Sequence, residues 1–186
     1  MKLDRRSFLM LIPVTAIAAW SWWFFRPPAP SASGGFPFPV TWNGEQATAI
    51  NQNDYRLKID GDVPNPLDLK LAELYAMSSV QKTLTIKCKE GWSADVPWEG
   101  LPISYLLGLA GLLSLKNTAH VIIQGITGYT TTLSSDEAAN LDFMIALKVG
   151  GAPLTIDHGY PARLVAPARS GLDWVKYVDR ITASSS

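Results

Sequence analysis

Cysteine and histidine are the side chains best suited to ligate a soft metal or to attack a substrate, and this chain has only Cys88, His120 and His158. Zinc takes about four nitrogen or sulfur ligands in a structural site and about three in a catalytic one. These residues could supply such a set only by converging from distant positions, because no HExxH or CxxC spacing occurs. CxxCH is also missing, which excludes covalently attached c-type haem. A lone cysteine closes no internal disulfide and cannot supply the four thiolates of an iron–sulfur cluster. Any transition metal held here must therefore take most of its ligands from a cofactor.

The residues around Cys88 alternate. Leu84, Ile86 and Cys88 fall on one face of an expected strand from Thr83 to Lys89, with Thr85, Lys87 and Lys89 on the other. That places Cys88 on the inward face near the strand's end. A cysteine in such a position is often no more than a small buried hydrophobe. Here the strand runs out into Glu90-Gly91, where a backbone can approach a bulky ligand closely. Lys87 and Lys89 point away, so their help to a thiolate is modest.

The stretch from Cys88 to Pro102 resembles the cofactor-binding segment of the sulfite oxidase superfamily, most closely its periplasmic methionine-sulfoxide reductase branch. Cys88, Glu90, Trp92, Ser93, Val96, Pro97, Trp98, Gly100 and Pro102 all fall in register with that segment. A second match, His158-Gly159-Tyr160-Pro161-Ala162-Arg163-Leu164-Val165-Ala166-Pro167 followed by Gly171 and Trp174-Val175-Lys176, is similar to the segment that grips the pterin and its phosphate. Tyr55 to Pro66 resembles the strand and turn that open the family's core. The likeness covers roughly Tyr55 to Ile181.

The resemblance implies an α+β, sulfite-oxidase-type molybdopterin-binding fold in a single domain of mixed β-sheets and short helices. It implies a molybdenum–molybdopterin cofactor, with Cys88 as the catalytic thiolate ligand to molybdenum. Arg163 would pair with the pterin phosphate as a planar multiple donor, and Lys176 would act as a point charge beside it. His158 and the backbone of Trp174 and Val175 would line the pterin. The branch it resembles carries asparagine at the position of His158. Sulfite oxidases proper place an arginine shortly after the cysteine, and Lys89, Glu90, Gly91 and Trp92 offer none. The implied reaction is a two-electron oxygen-atom transfer on a sulfoxide or similar small oxo compound. Its electrons would come from a membrane haem or quinol-linked partner.

The elements that must position these residues are short. Tyr55–Asp60 alternates as a half-buried strand, Val63-Pro64-Asn65-Pro66 is a turn, and Leu71–Met77 and Ile103–Leu109 fit short helices. His120–Gln124 and Tyr129–Leu133 read as paired strands around Gly125–Gly128. Ser134 and Glu137 have the spacing of a capping box. Ala162–Ala166 and Trp174–Ile181 are further strand candidates. Without regular βαβ alternation, the class read from these elements is α+β.

At 186 residues and 47% hydrophobic content the chain suits one well-packed domain. Sixteen basic residues balance 16 acidic ones with no basic stripe, which argues against nucleic acid as a partner. Asp4-Arg5-Arg6-Ser7-Phe8-Leu9-Met10 resembles a twin-arginine export signal, which carries folded proteins out of the cytoplasm. Phe8–Phe25 is nearly all apolar, with Lys2, Arg5 and Arg6 before it and Trp20, Trp22, Trp23, Phe24 and Phe25 at its far end. Residues 1–26 are thus expected to act as signal and uncleaved membrane anchor. Pro27–Gly35 is expected as a linker, 36–182 as the domain and 183–186 as a frayed tail.

Two other readings compete. A cofactor-free binding domain of the same fold would keep the architecture without the chemistry. An anchored cysteine transpeptidase of the sortase kind is suggested by Thr83–Cys88, but sortases place histidine before cysteine, and both histidines here follow it.

Overall fold

Apolar residues at every second position build the first strand, β1 (Arg56–Gly61), with Leu57 and Ile59 fully buried. Burying each side chain contributes about 1.5–3 kcal/mol. The computed structural model describes residues 36–40, 44–45, 49–77 and 79–185. The expected signal, anchor and linker lie outside these residues. Among the described residues no helix is long and apolar enough to cross a membrane.

After β1 come β2 (Leu67–Lys70) and helix α1 (Leu71–Ala76), then β3 (Val80–Lys87), β4 (Ser93–Pro102) and α2 (Ile103–Leu109). β5 (His120–Gly125) and β6 (Thr130–Ser134) form a hairpin that leads into α3 (Ser135–Ala139). Ser134 Oγ accepts from Glu137 N at 3.2 Å while the Glu137 carboxylate accepts from Ser134 N at 2.8 Å, closing the expected capping box. The chain finishes with β7 (Met144–Val149), β8 (Ala152–Pro153), β9 (Arg163–Val165), a 3-10 turn at Gly171–Asp173 and β10 (Val178–Ser184).

These strands form two sheets. The first has the order β2-β1-β10-β5-β6, and the second β3-β4-β7-β8, with β9 pairing β7. Only β1 and β10 pair in parallel; the other pairs are antiparallel. One hydrophobic core takes residues from both sheets, including Leu57, Ile59, Ile123 and Ile181 from the first and Val96, Trp98, Ile145 and Leu164 from the second. Mixed sheets with short helices bear out the expected class.

Three expectations are corrected. The strand expected over Thr83–Lys89 starts earlier and ends at Lys87, because Gly91 N donates to Cys88 O (3.1 Å), closing a tight turn over Cys88–Gly91. Gly91 supplies the positive φ, +90°, that this turn requires. The strand expected at Trp174 begins only at Val178, since the backbone before it bonds elsewhere. Val175 O accepts from Leu164 N (2.8 Å), and Lys176 N donates to the Glu45 carboxylate (2.8 Å). The frayed tail expected at 183–186 is instead tied down as far as Ser185. Asp62 N donates to Ala183 O (2.8 Å), Ala119 N to Ser184 O (2.7 Å), and Ser185 N to the Asp62 carboxylate (2.8 Å).

Candidate active site

Cys88 sits one residue past β3, half-buried, at the turn between β3 and β4. The 3-10 turn passes beneath it: a β-carbon on Gly171 would stand 2.9 Å from Lys87 O. That turn leads directly to Trp174, Val175 and Lys176, so the fold brings the downstream segment under the end of the cysteine strand.

Arg163, on β9, is completely buried among aromatic rings. Its Cζ lies 5.5 Å from the Trp98 ring centroid and 5.9 Å from those of Trp174 and Phe38. A guanidinium tolerates such burial better than an ammonium because it is weakly hydrated and stacks on rings. Burial lowers its pKa to about 10 against the opposing pull of Glu45. Lys176 is buried beside it and is held down to about 8, first by burial and then by the Arg163 charge, with Glu45 and Asp157 opposing. Glu45 is the buried carboxylate of the group, accepting also from Thr127 Oγ1 at 3.0 Å.

His158 holds this arrangement in place. Its Nε2 lies 3.1 Å from Phe38 O and its Nδ1 2.6 Å from Thr155 Oγ1. A carbonyl only accepts, so Nε2 carries the hydrogen and Nδ1 accepts from the threonine. Phe36 stacks on the ring at 4.1 Å and Phe38 meets it edge-on at 4.8 Å. Burial lowers its pKa to about 4, with the Arg163 and Lys176 charges adding to the effect, so the ring is neutral. Its carbonyl accepts from Arg163 Nη1 at 3.1 Å.

The structure thus brings His158, Arg163, Trp174, Val175 and Lys176 together. The His158 ring and the Trp174 and Val175 amides are engaged inside the protein, Trp174 N with Gly171 O and Val175 N with Asp173 O. His120 pairs with Ser134 across the β5–β6 hairpin, in the other sheet. Sequence reasoning missed Phe36, Phe38, Thr155 and Glu45. The alternation Phe36-Pro37-Phe38-Pro39 is a visible signal of an ordered aromatic strap; Glu45 carried none.

The fold and this buried cation site define the class. Residues 44–186 match the family described as the oxidoreductase molybdopterin binding domain, and the chain belongs to it. It is a molybdopterin-binding oxidoreductase of sulfite-oxidase type, close to the methionine-sulfoxide reductases.

It is 25% identical over 171 residues to the putative protein-methionine-sulfoxide reductase subunit YedZ1 of Azospira oryzae, covering 88% of this chain and 64% of that one. To the protein-methionine-sulfoxide reductase catalytic subunit MsrP of Gluconobacter oxydans it is 29% identical over 154 residues, 73% of this chain and 49% of that one. The uncharacterized oxidoreductase YuiH of Bacillus subtilis is 29% identical over 131 residues, 70% of this chain and 65% of the other. The sulfane dehydrogenase SoxCD of Paracoccus pantotrophus shares the fold, with a TM-score of 0.68 at 19% identity, over 100% of this chain and 56% of that one. The chain therefore spans about half to two-thirds of the length of these relatives.

The residues present fit a molybdopterin. A phosphate-bearing group needs a positive seat, and Arg163 and Lys176 form one. A pterin is rich in hydrogen-bond acceptors, and the indole N–H of Trp174 is buried with no acceptor among the described residues. Among the described residues no three His, Cys, Asp or Glu side chains group to hold a metal ion. A metal at Cys88 would thus draw its other ligands from the pterin.

Proposed function

We propose that this chain is the catalytic domain of a molybdenum–molybdopterin reductase. It removes the oxygen atom of a sulfoxide, or a similar small oxo compound, outside the cytoplasmic membrane. The observation that carries the reading is the half-buried Cys88 at the open end of the β3–β4 ribbon, with the segment bearing the buried Arg163 and Lys176 packed beneath it.

When bound, the molybdenum–pterin group supplies the two-electron redox chemistry. Cys88 ligates the metal as a thiolate. Arg163 and Lys176 hold the phosphate, the first as a directional fork and the second as a compact charge. The Trp174 indole N–H donates to the pterin. Neutral His158 fixes the aromatic strap and, through its carbonyl, the Arg163 fork. A sulfoxide gains two electrons and two protons and leaves as thioether and water. The electrons come from a membrane haem or quinol-linked partner, beside which the N-terminal anchor keeps the domain. Export in folded form by the twin-arginine route suits a protein loaded with its cofactor before translocation.

Metal analysis of the chain expressed with pterin synthesis intact tests this reading. The wild type is expected to hold about one molybdenum, since the site offers a single thiolate. Cys88→Ser is expected to lose activity even where some pterin remains. A wild type without molybdenum from such a host refutes the reading.

A further inference from the structure

Cys88 and Trp92 oppose each other across the β3–β4 ribbon. The register pairs Ile86 with Ala94 and Lys87 with Ser93, so the next pair outward is Cys88 with Trp92, joined by the 2.9 Å bond from Cys88 N to Trp92 O. Directly opposed residues of an antiparallel ribbon project to the same face, with β-carbons about 4.5–5.5 Å apart. That face is the inner one, where Ile86, Val96 and Trp98 are buried. The backbone pairing therefore sets the side chains of Trp92 and Cys88 on the same face at the end of the ribbon.

The indole nitrogen is the unusual part. Trp92 as a residue is half-buried, yet its Nε1 is buried and has no hydrogen-bond partner among the described residues, sulfur included. Its neighbour on the same face, Trp98, places its Nε1 3.3 Å from Leu84 O. A buried donor with no acceptor is costly to keep, and a ligand that brings an acceptor removes the cost. Trp92 also has aromatic support on the site side, its ring centroid lying 6.4 Å from that of Phe38.

We propose that the Trp92 indole N–H is a catalytic hydrogen-bond donor to the oxygen of the oxo substrate bound beside Cys88; the proposal rests on the reductase reading above. The oxygen of a sulfoxide carries partial negative charge, and the charge grows as the bond to sulfur breaks. A fixed, water-shielded donor stabilises that growth more than it stabilises the bound substrate. The indole keeps its proton throughout, so no bond within Trp92 is made or broken. An oxo compound thus enters with its oxygen towards the indole and its apolar groups towards Phe38. This orientation favours substrates with one exposed, strongly polar oxygen.

The test compares wild type, Trp92→Phe and Trp92→His as full chains loaded with cofactor. Reduction of dimethyl sulfoxide by a reduced viologen dye gives kcat and KM, and titration with dimethyl sulfone, an oxygen acceptor that is not reduced, gives Kd. Trp92→Phe is expected to keep wild-type molybdenum and pterin content, lose about 10- to 100-fold in kcat, and bind the sulfone about tenfold more weakly. Trp92→His, which restores a ring N–H, is expected to recover part of both. Unchanged kcat and Kd in a loaded Trp92→Phe protein overturn the proposal, as do equal losses in both variants. Loss of the cofactor from Trp92→Phe alone overturns it too, since the donor would then serve the pterin. Molybdenum missing from the wild type instead sinks the reductase reading itself.

Discussion

Gly159 lies tightly against Lys176, so that a side chain fits only if its neighbours give way by a few tenths of an ångström: a β-carbon on Gly159 would stand 3.2 Å from Lys176 Cβ and 3.0 Å from Arg163 Cβ. The glycine also has a φ of +99°, which side chains rarely adopt. Both facts come from one requirement. The chain must turn sharply between His158 and Tyr160 so that the two buried cations can converge. Gly159→Ala is expected to destabilise the domain by about 1–2 kcal/mol from backbone strain alone, and to spread the cations. Denaturant unfolding checks the first effect and pterin content the second. Wild-type pterin retention in the variant would show that the cation spacing does not matter.

His158 makes stability depend on acid. Its pKa falls from 6.5 unfolded to about 4 folded, chiefly because burial disfavours the charged ring. Between those values the unfolded chain binds a proton that the folded chain refuses, so stability drops as pH falls from 6.5 to about 4. The loss over that window is about 2–3 kcal/mol. His158→Asn is expected to remove this slope, because an amide can still donate to Phe38 O and does not titrate. It also gives up ring contacts with Phe36 and Phe38, at a cost of about 0.5–1.5 kcal/mol near neutral pH. Unfolding curves taken across the window decide between the two slopes; parallel curves rule out His158 as the source.

What the sequence revealed, and what it hid, follows the same physics. β1, β3, β5 and β6 are half-buried, so their alternation was visible, and α3 announced itself through Ser134 and Glu137. β7 is buried along nearly its whole length, and Met144–Val149, apolar at every position but Lys148, has no period to read. β4 carries Pro97 and Pro102, which argue locally against a strand. The fold accepts them because β7 pairs only with Trp98–Pro102, leaving Pro97 outside that ladder, and because Pro102 stands at the start of α2. In the site, Cys88, Arg163 and Lys176 stood out by motif. Glu45 did not, because nothing local distinguishes a carboxylate that meets Lys176 across 131 positions of chain.

Glu45 is expected to trade stability against anion affinity. Its carboxylate accepts from Lys176 N and Thr127 Oγ1 and offsets part of the positive charge on Arg163 and Lys176. Glu45→Gln keeps an oxygen acceptor and removes only the charge. The cofactor-free variant should lose about 1–3 kcal/mol of stability, since a charge-assisted bond becomes a neutral one. Its affinity for inorganic phosphate should rise, because less negative charge opposes an incoming anion. Calorimetric titration against wild type reads the affinity. A weaker phosphate interaction in the variant would mean that Glu45 shapes the seat rather than opposing its ligand.

Lys176 sets a second pH dependence, at the alkaline end. Burial, reinforced by Arg163, lowers its pKa from 10.5 to about 8. Between those values the unfolded chain holds the proton and the folded chain has released it, so the cofactor-free domain gains stability as pH rises from about 8 to 10.5. Below pH 8 both states are charged, and the full penalty, on the order of 3 kcal/mol at most, is present. Lys176→Met is expected to abolish the slope and to stabilise the cofactor-free domain at neutral pH, since it removes a buried ammonium. The loaded protein should behave in the opposite way. There the phosphate favours the charged lysine, so raising the pH should hasten pterin release, and Lys176→Met should retain little pterin at any pH. Unfolding free energies and pterin release rates, measured on the same preparations from pH 7 to 10 (a window chosen to bracket the shifted pKa of about 8), test both halves. Identical pH slopes in wild type and variant would remove Lys176 from the account.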